Sequence, residues 1–180
     1  ICGKMLFVNE LADNQKIIVV HFEQSPSICG PASLKILLSH FGKQYTEDQL
    51  AKLGSSTLEK GTSQEGMVQA VKKIDGYVFV KENGTIDELK YFLEKEKLPV
   101  IINWFHEDEG HYSVVVSITD KNVILVDPMT NEPERWLSRS IFPKIWFDFV
   151  GPENKTVSWG WYMVVTFEKR NFNLDGGHYY

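Results

Sequence analysis

One of the two cysteines stands where a thiol readily becomes a nucleophile. In the run Gln24-Ser25-Pro26-Ser27-Ile28-Cys29-Gly30-Pro31-Ala32-Ser33-Leu34, Cys29 falls where a loop turns into a helix. Free N–H groups and the positive end of the helix dipole at such a point favour a sulfur anion. Gly30 leaves room for a substrate backbone, and Pro31 suits a first helical turn, where its missing N–H would be unpaired anyway. The plainer account of Cys29 is a small apolar side chain packed at a helix start, as free cysteines often are. What raises it above that account is its company. His111 opens the apolar strand Tyr112-Ser113-Val114-Val115-Val116, and Asp127 closes the run Val123-Ile124-Leu125-Val126 ahead of Pro128. A lone His at a strand end is usually solvated, and Asp-Pro after a strand is usually a turn. If the two strands form a hairpin, their ends lie side by side. Asp127 then accepts from one imidazole nitrogen while the other faces Cys29, which gives nucleophile, base and orienting carboxylate for acyl transfer. Gln24, five residues before Cys29, carries an amide able to join the Cys29 N–H in stabilising an oxyanion; read blandly, it is a loop glutamine.

The elements that must position these residues divide the chain in two. Between Pro31 and Phe41, Leu34, Leu37, Leu38 and Phe41 recur at the spacing of one helix face, and Gly42 follows where a C-terminal cap belongs. Three capping boxes, Thr46 with Gln49, Thr62 with Glu65 and Thr85 with Glu88, predict three more helices. After them come short runs rich in β-branched and aromatic residues: Leu98 to Trp104, Tyr112 to Thr119, Val123 to Val126 and Trp161 to Phe167. Asp120-Lys121-Asn122 supplies a hairpin turn, and Ile17 to Phe22 reads as an earlier strand. Helices first and an antiparallel sheet afterwards predict an α+β fold with the site in a cleft between the two lobes. The expectation is one domain over residues 1–180, with a core at about 17–167 and terminal extensions at 1–16 and 168–180.

Composition excludes several function classes. A net charge of −5, with Lys and Arg scattered, lacks the basic face that nucleic acid requires. Apolar runs stay far below the roughly 20 residues needed to span a bilayer, and a cytoplasmic location is the default expectation. Two cysteines, Cys2 and Cys29, are too few for a disulfide framework or a four-thiolate zinc site, and Cys2 reads as an incidental thiol near the terminus. His106 and His111 are five apart where a zincin helix needs four, and Gly110 between them opposes a helix. No metal and no organic cofactor is expected.

Taken together, these motifs resemble the papain-like cysteine peptidases of the bacteriocin-processing, double-glycine-leader type, in the form without a transporter. The likeness runs from about Val20 to Val165. It rests on a glutamine ahead of Cys-Gly-Pro-Ala-Ser-Leu, a helix ending in Phe-Gly, Gly61-Thr62-Ser63, Pro99-Val100-Ile101 before Trp104, then Gly-His-Tyr-Ser-Val-Val-Val and Val-Asp-Pro. The resemblance implies Cys29 as nucleophile, His111 as base, Asp127 as orienter and Gln24 as oxyanion donor, although the family's glutamine commonly stands six residues ahead of its cysteine. It implies a peptide or protein substrate and peptide-bond hydrolysis. The alternatives are deamidation, isopeptide cleavage or transpeptidation on the same residues, and a peptide-binding module without turnover. The tail from Asn171 to Tyr180 reads as a loose terminus; the sharper reading is that Gly176-Gly177 imitates a double-glycine cleavage site and visits a neighbouring cleft.

Overall fold

The computed structural model describes residues 16–180; Cys2 lies outside the described residues. Helix α1 (Cys29–Ser39) is buried nearly all round, from Gly30 to Leu34 and from Ile36 to Leu38, and so is the central helix of the fold. Helices α2 (Glu47–Leu53) and α3 (Gln64–Lys72) follow. Strand β1 (Tyr77–Lys81) comes next, then α4 (Ile86–Tyr91), which runs into a π-helical turn, Phe92–Glu96. The second half supplies β2 (Val100–His106), β3 (Glu109–Ile118), β4 (Asn122–Val126), β5 (Arg135–Ser138), the short helix α5 (Phe142–Ile145), and then β6 (Phe147–Val150), β7 (Thr156–Trp159), β8 (Tyr162–Thr166) and β9 (His178–Tyr179). Seven strands form one antiparallel sheet in the order β5-β4-β3-β2-β8-β1-β9, and β6-β7 stands apart as a hairpin. The architecture is the expected α+β arrangement.

Two registers decide where the chemistry falls. The β2–β3 pairing puts Trp104 opposite His111 and Asn103 opposite Tyr112. The β3–β4 pairing puts Val114 opposite Val126, so Asp127 leaves β4 level with Ser113, two residues from His111. A bulge between Val115 and Ser117 absorbs one residue further along the same pair.

Several expectations need correction. Two of the three capping boxes form, at Thr46 with Gln49 and at Thr85 with Glu88. Thr62 caps nothing: its hydroxyl pairs with Ser56 Oγ at 2.6 Å, and Ser63 accepts from the Gly66 N–H to start α3 one residue later. Residues 17–22 join no strand. Ile17 is buried and donates to the Val116 carbonyl, and the Val20 N–H goes to Ser39 Oγ, so side-chain and single backbone contacts replace a ladder. The tail is not loose. β9 pairs with β1, Tyr180 and Val78 exchange backbone hydrogen bonds at 2.8 and 3.0 Å, and Phe172 is buried against Phe79 and Phe92.

Candidate active site

Cys29 is the first residue of α1, and no side chain caps the helix there. The preceding Ile28 can offer none, and the first turn holds no acidic residue. The backbone N–H groups of that turn are therefore unspent by side chains and available to an anion. Cys29 itself is partly exposed. Gly30 has a different role from the one read in the sequence. A Cβ there would lie 2.9 Å from Thr62 and from the Met67 sulfur, so the glycine lets the helix start sit against α3. One turn on, buried Ser33 donates to the Tyr112 carbonyl at 2.9 Å, which clamps α1 to β3 beside His111.

His111 is 1% exposed, enclosed by Trp104 and His106 with ring centroids 5.8 and 5.9 Å away. Its backbone carbonyl accepts from Asn103 Nδ2 at 3.4 Å, and its Nε2 bonds Asp127 Oδ1 at 2.6 Å. The remaining ring nitrogen is Nδ1, and the Cys29 side chain is the other group that acts on the imidazole. Burial disfavours a charge on this ring. The Asp127 hydrogen bond and charge, together with the nearby Cys29 side chain, outweigh burial and raise the His111 pKa to about 9.

Asp127 is fully buried, and both of its oxygens are used. Oδ1 accepts from His111 and from the Met129 N–H at 2.9 Å; Oδ2 accepts from Arg135 Nη1 at 2.6 Å. Burial alone would push the carboxyl up, but the His111 hydrogen bond and charge, the Met129 N–H and Arg135 together hold it below its ordinary value. Asn103 does not orient the ring: its Nδ2 donates to the His111 backbone carbonyl, and its Oδ1 accepts from Gln64.

Gln24 is tied to the same corner. Its N–H donates to the Pro128 carbonyl at 2.8 Å, and His21 Nε2 donates to the Asp127 carbonyl at 3.1 Å, so the loop before Cys29 is anchored to the turn after Asp127. The Gln24 amide oxygen is buried and has no hydrogen-bond partner among the described residues. Sequence reasoning thus names the residues that meet, and it misses two neighbours. Arg135 carries no mark in the sequence; its pairing with Leu125 is what brings it to Asp127. Asp148, on the β6-β7 hairpin, lies so close to Gly110 that a Cβ there would overlap its carboxylate. Burial raises the Asp148 pKa against the pull of the Phe149 N–H and Asn103. Among the described residues no three His, Cys, Asp or Glu side chains gather as metal ligands, and no helix is long and apolar enough to cross a membrane.

Known proteins share this arrangement of elements. The model of the peptidase C39 family matches residues 17–150. The pediocin PA-1 transport/processing ATP-binding protein PedD of Pediococcus acidilactici is 30% identical over 119 residues, which is 66% of this chain and 16% of PedD. The peptidase domain of Streptococcus ComA, a bi-functional ABC transporter involved in quorum sensing, shares the fold with a TM-score of 0.66 at 20% identity, covering 86% of this chain and 99% of that domain. A double glycine motif protease from an AMS/PCAT transporter, solved in complex with the leader peptide, gives 0.60 at 17% identity over 86% and 95%.

Proposed function

The chain belongs to the peptidase C39 family, and we propose that it hydrolyses peptide bonds through Cys29, His111 and Asp127. The observation that carries this reading is His111, bonded to buried Asp127 and acted on by the Cys29 side chain at an uncapped helix start. Cys29 gives its thiol proton to His111, and its sulfur attacks the carbonyl carbon of the scissile bond. Negative charge moves to the carbonyl oxygen, where the Cys29 N–H and the Gln24 amide N–H₂ receive it. His111, whose raised pKa keeps it protonated through neutral pH, gives its proton to the leaving amine as the C–N bond breaks. The thioester left on Cys29 is attacked by water, and the same imidazole, now neutral, takes the water's proton. Asp127 holds the ring in place and favours its charged form.

The substrate is a peptide or protein segment. Support comes from the AMS/PCAT protease, which was solved with a leader peptide in place. The test is cleavage of a diverse peptide library by wild type and by Cys29→Ala. Products that appear with wild type and vanish with Cys29→Ala support hydrolysis through this thiol. Products that persist in the variant, or none with either protein, sink it.

A further inference from the structure

Behind Asp127 runs a chain of contacts that this scheme leaves unused. Arg135 opens β5, and its Nη1 donates to Asp127 Oδ2 at 2.6 Å. Its guanidinium carbon stands 5.5 Å from the centre of the Trp104 ring, and its Nη2 lies 3.2 Å from His106 Nε2. A guanidinium has no acceptor, so at that last contact His106 Nε2 is the accepting, unprotonated nitrogen. Burial pushes His106 toward this neutral form, and Arg135 and His111 add to it against the opposing pull of Glu107 and Asp127. From this geometry we infer that Arg135, stacked on Trp104 and braced by neutral His106, is a positioning residue that fixes the Asp127 carboxylate against His111.

The carboxylate needs such a partner. Oδ1 is engaged by His111 and Met129, whereas Oδ2 is buried and, among the described residues, receives only Arg135. Without that donor the group can rotate about its Cβ–Cγ bond, and the imidazole loses its fixed direction toward Cys29. Arg135 also offsets part of the negative charge that His111 experiences. Its removal therefore lets His111 keep its proton to higher pH, the opposite of what removing Asp127 does. The groups facing the imidazole are Cys29, Asp127 and His106, with Arg135 behind the carboxylate, so the two directions are separable. Lysine does not replicate the arrangement: an ammonium is a point charge and lacks the flat fork that reaches Asp127 and His106 while stacking on a ring.

The kinetic half of this inference rests on the peptidase reading; the electrostatic half does not. The experiment titrates His111 by NMR and measures peptide turnover in wild type, Arg135→Met and Arg135→Lys. Arg135→Met is expected to lose about 10²-fold in kcat with KM little changed, the size of loss that misplacing a reacting group produces. Its His111 is expected to titrate above the wild-type value of about 9, and Arg135→Lys to return the titration to near wild type while restoring only part of kcat. An unchanged titration in folded Arg135→Met overturns the inference, even if stability falls. Should Arg135→Met fail to fold, Arg135→Lys decides: wild-type kcat overturns the inference, and a reduced kcat in fully folded protein supports it. A chain that cleaves no peptide would sink the peptidase reading and leave the titration as an independent test of Arg135.

Discussion

On the sheet side of the site, Asp127 accepts three donors, and His111 is closed in by Trp104, His106 and the carboxylate itself. On the helix side, Cys29 rests on a helix start with no side-chain cap, and Gln24 buries an amide oxygen that no described residue satisfies. The first side is a closed polar network in a low-dielectric setting, where every member holds the others in place. The second side keeps its donors unspent, which is what a site needs if charge is to develop there only during reaction. The contrast teaches a separation of roles. Damage to the sheet side should harm both fold and turnover, and damage to the helix side should harm turnover alone.

The largest effect belongs to the sheet side. His111→Ala removes the proton donor for the leaving amine and is expected to lower kcat about 10²–10⁴-fold. Asp127→Ala should lower kcat as well, and it should also destabilise the fold, because Arg135 and His111 lose their buried partner. Breaking such a pair is worth about 3–5 kcal/mol as an upper figure, since Arg135 is partly exposed. Urea unfolding followed by fluorescence measures it. An Asp127→Ala protein as stable as wild type would break the comparison on this side.

Gln24→Ala comes next and probes the other side. Loss of one oxyanion donor is expected to reduce kcat about 10²–10³-fold. Stability should stay within about 0.5 kcal/mol, because the amide oxygen removed makes no hydrogen bond. If its unfolding midpoint fell as far as that of Asp127→Ala, the helix side would be structural after all.

Protonation sharpens the contrast further. His111 has its folded pKa raised from 6.5 to about 9, so its contribution to stability is complete below 6.5 and is lost as pH rises through about 9. Asp127 has its folded pKa lowered from 3.8, so its contribution is complete above 3.8 and is lost as pH falls through the lower folded value. Between 3.8 and 6.5 both contributions are complete. Turnover should follow the basic limb and decline near pH 9, where the imidazolium is lost. Because Cys29 is one of the groups that raise His111, Cys29→Ala should lower the NMR-measured pKa of that ring. An unmoved value would mean that the thiol and the imidazole do not interact.

How far the sequence could be read follows from which interactions are local. Thr46 with Gln49 and Thr85 with Glu88 are three residues apart and depend on little else, so their capping boxes form as expected. Thr62 fails because Ser56, six residues away across a loop, competes for its hydroxyl. Cys29, His111 and Asp127 were legible because each stands at the junction of a loop with a strongly patterned element. Arg135 and Asp148 were not, because only a strand register and a separate hairpin bring them there. Gly30 was misread for the same reason: its neighbours Thr62 and Met67, one before α3 and one in it, stand more than thirty residues away.

The smallest effect on turnover lies farthest from the site, at the tail. Gly176 has φ +75 and turns the chain into β9, and Gly177 then packs against the face of Phe79. A Cβ on Gly177 would intrude on the Phe79 ring, which is itself buried among Phe92, Tyr162 and Phe172 and has no room to withdraw. The glycine pair is thus explained by a close approach at the sheet edge without any role as a cleavage signal. Two outcomes follow. Gly177→Ala should cost about 1–3 kcal/mol, the usual range for overpacking, while kcat stays at the wild-type value. Aged wild-type protein should keep its full mass, as Cys29→Ala does, because a peptidase cleft must take its substrate extended and unpaired, and this segment is engaged with β1. A cut after Gly177 in wild type that is missing from Cys29→Ala would show that β9 leaves the sheet often enough to reach another molecule's thiol, and the paired edge would then be only one of the tail's two states.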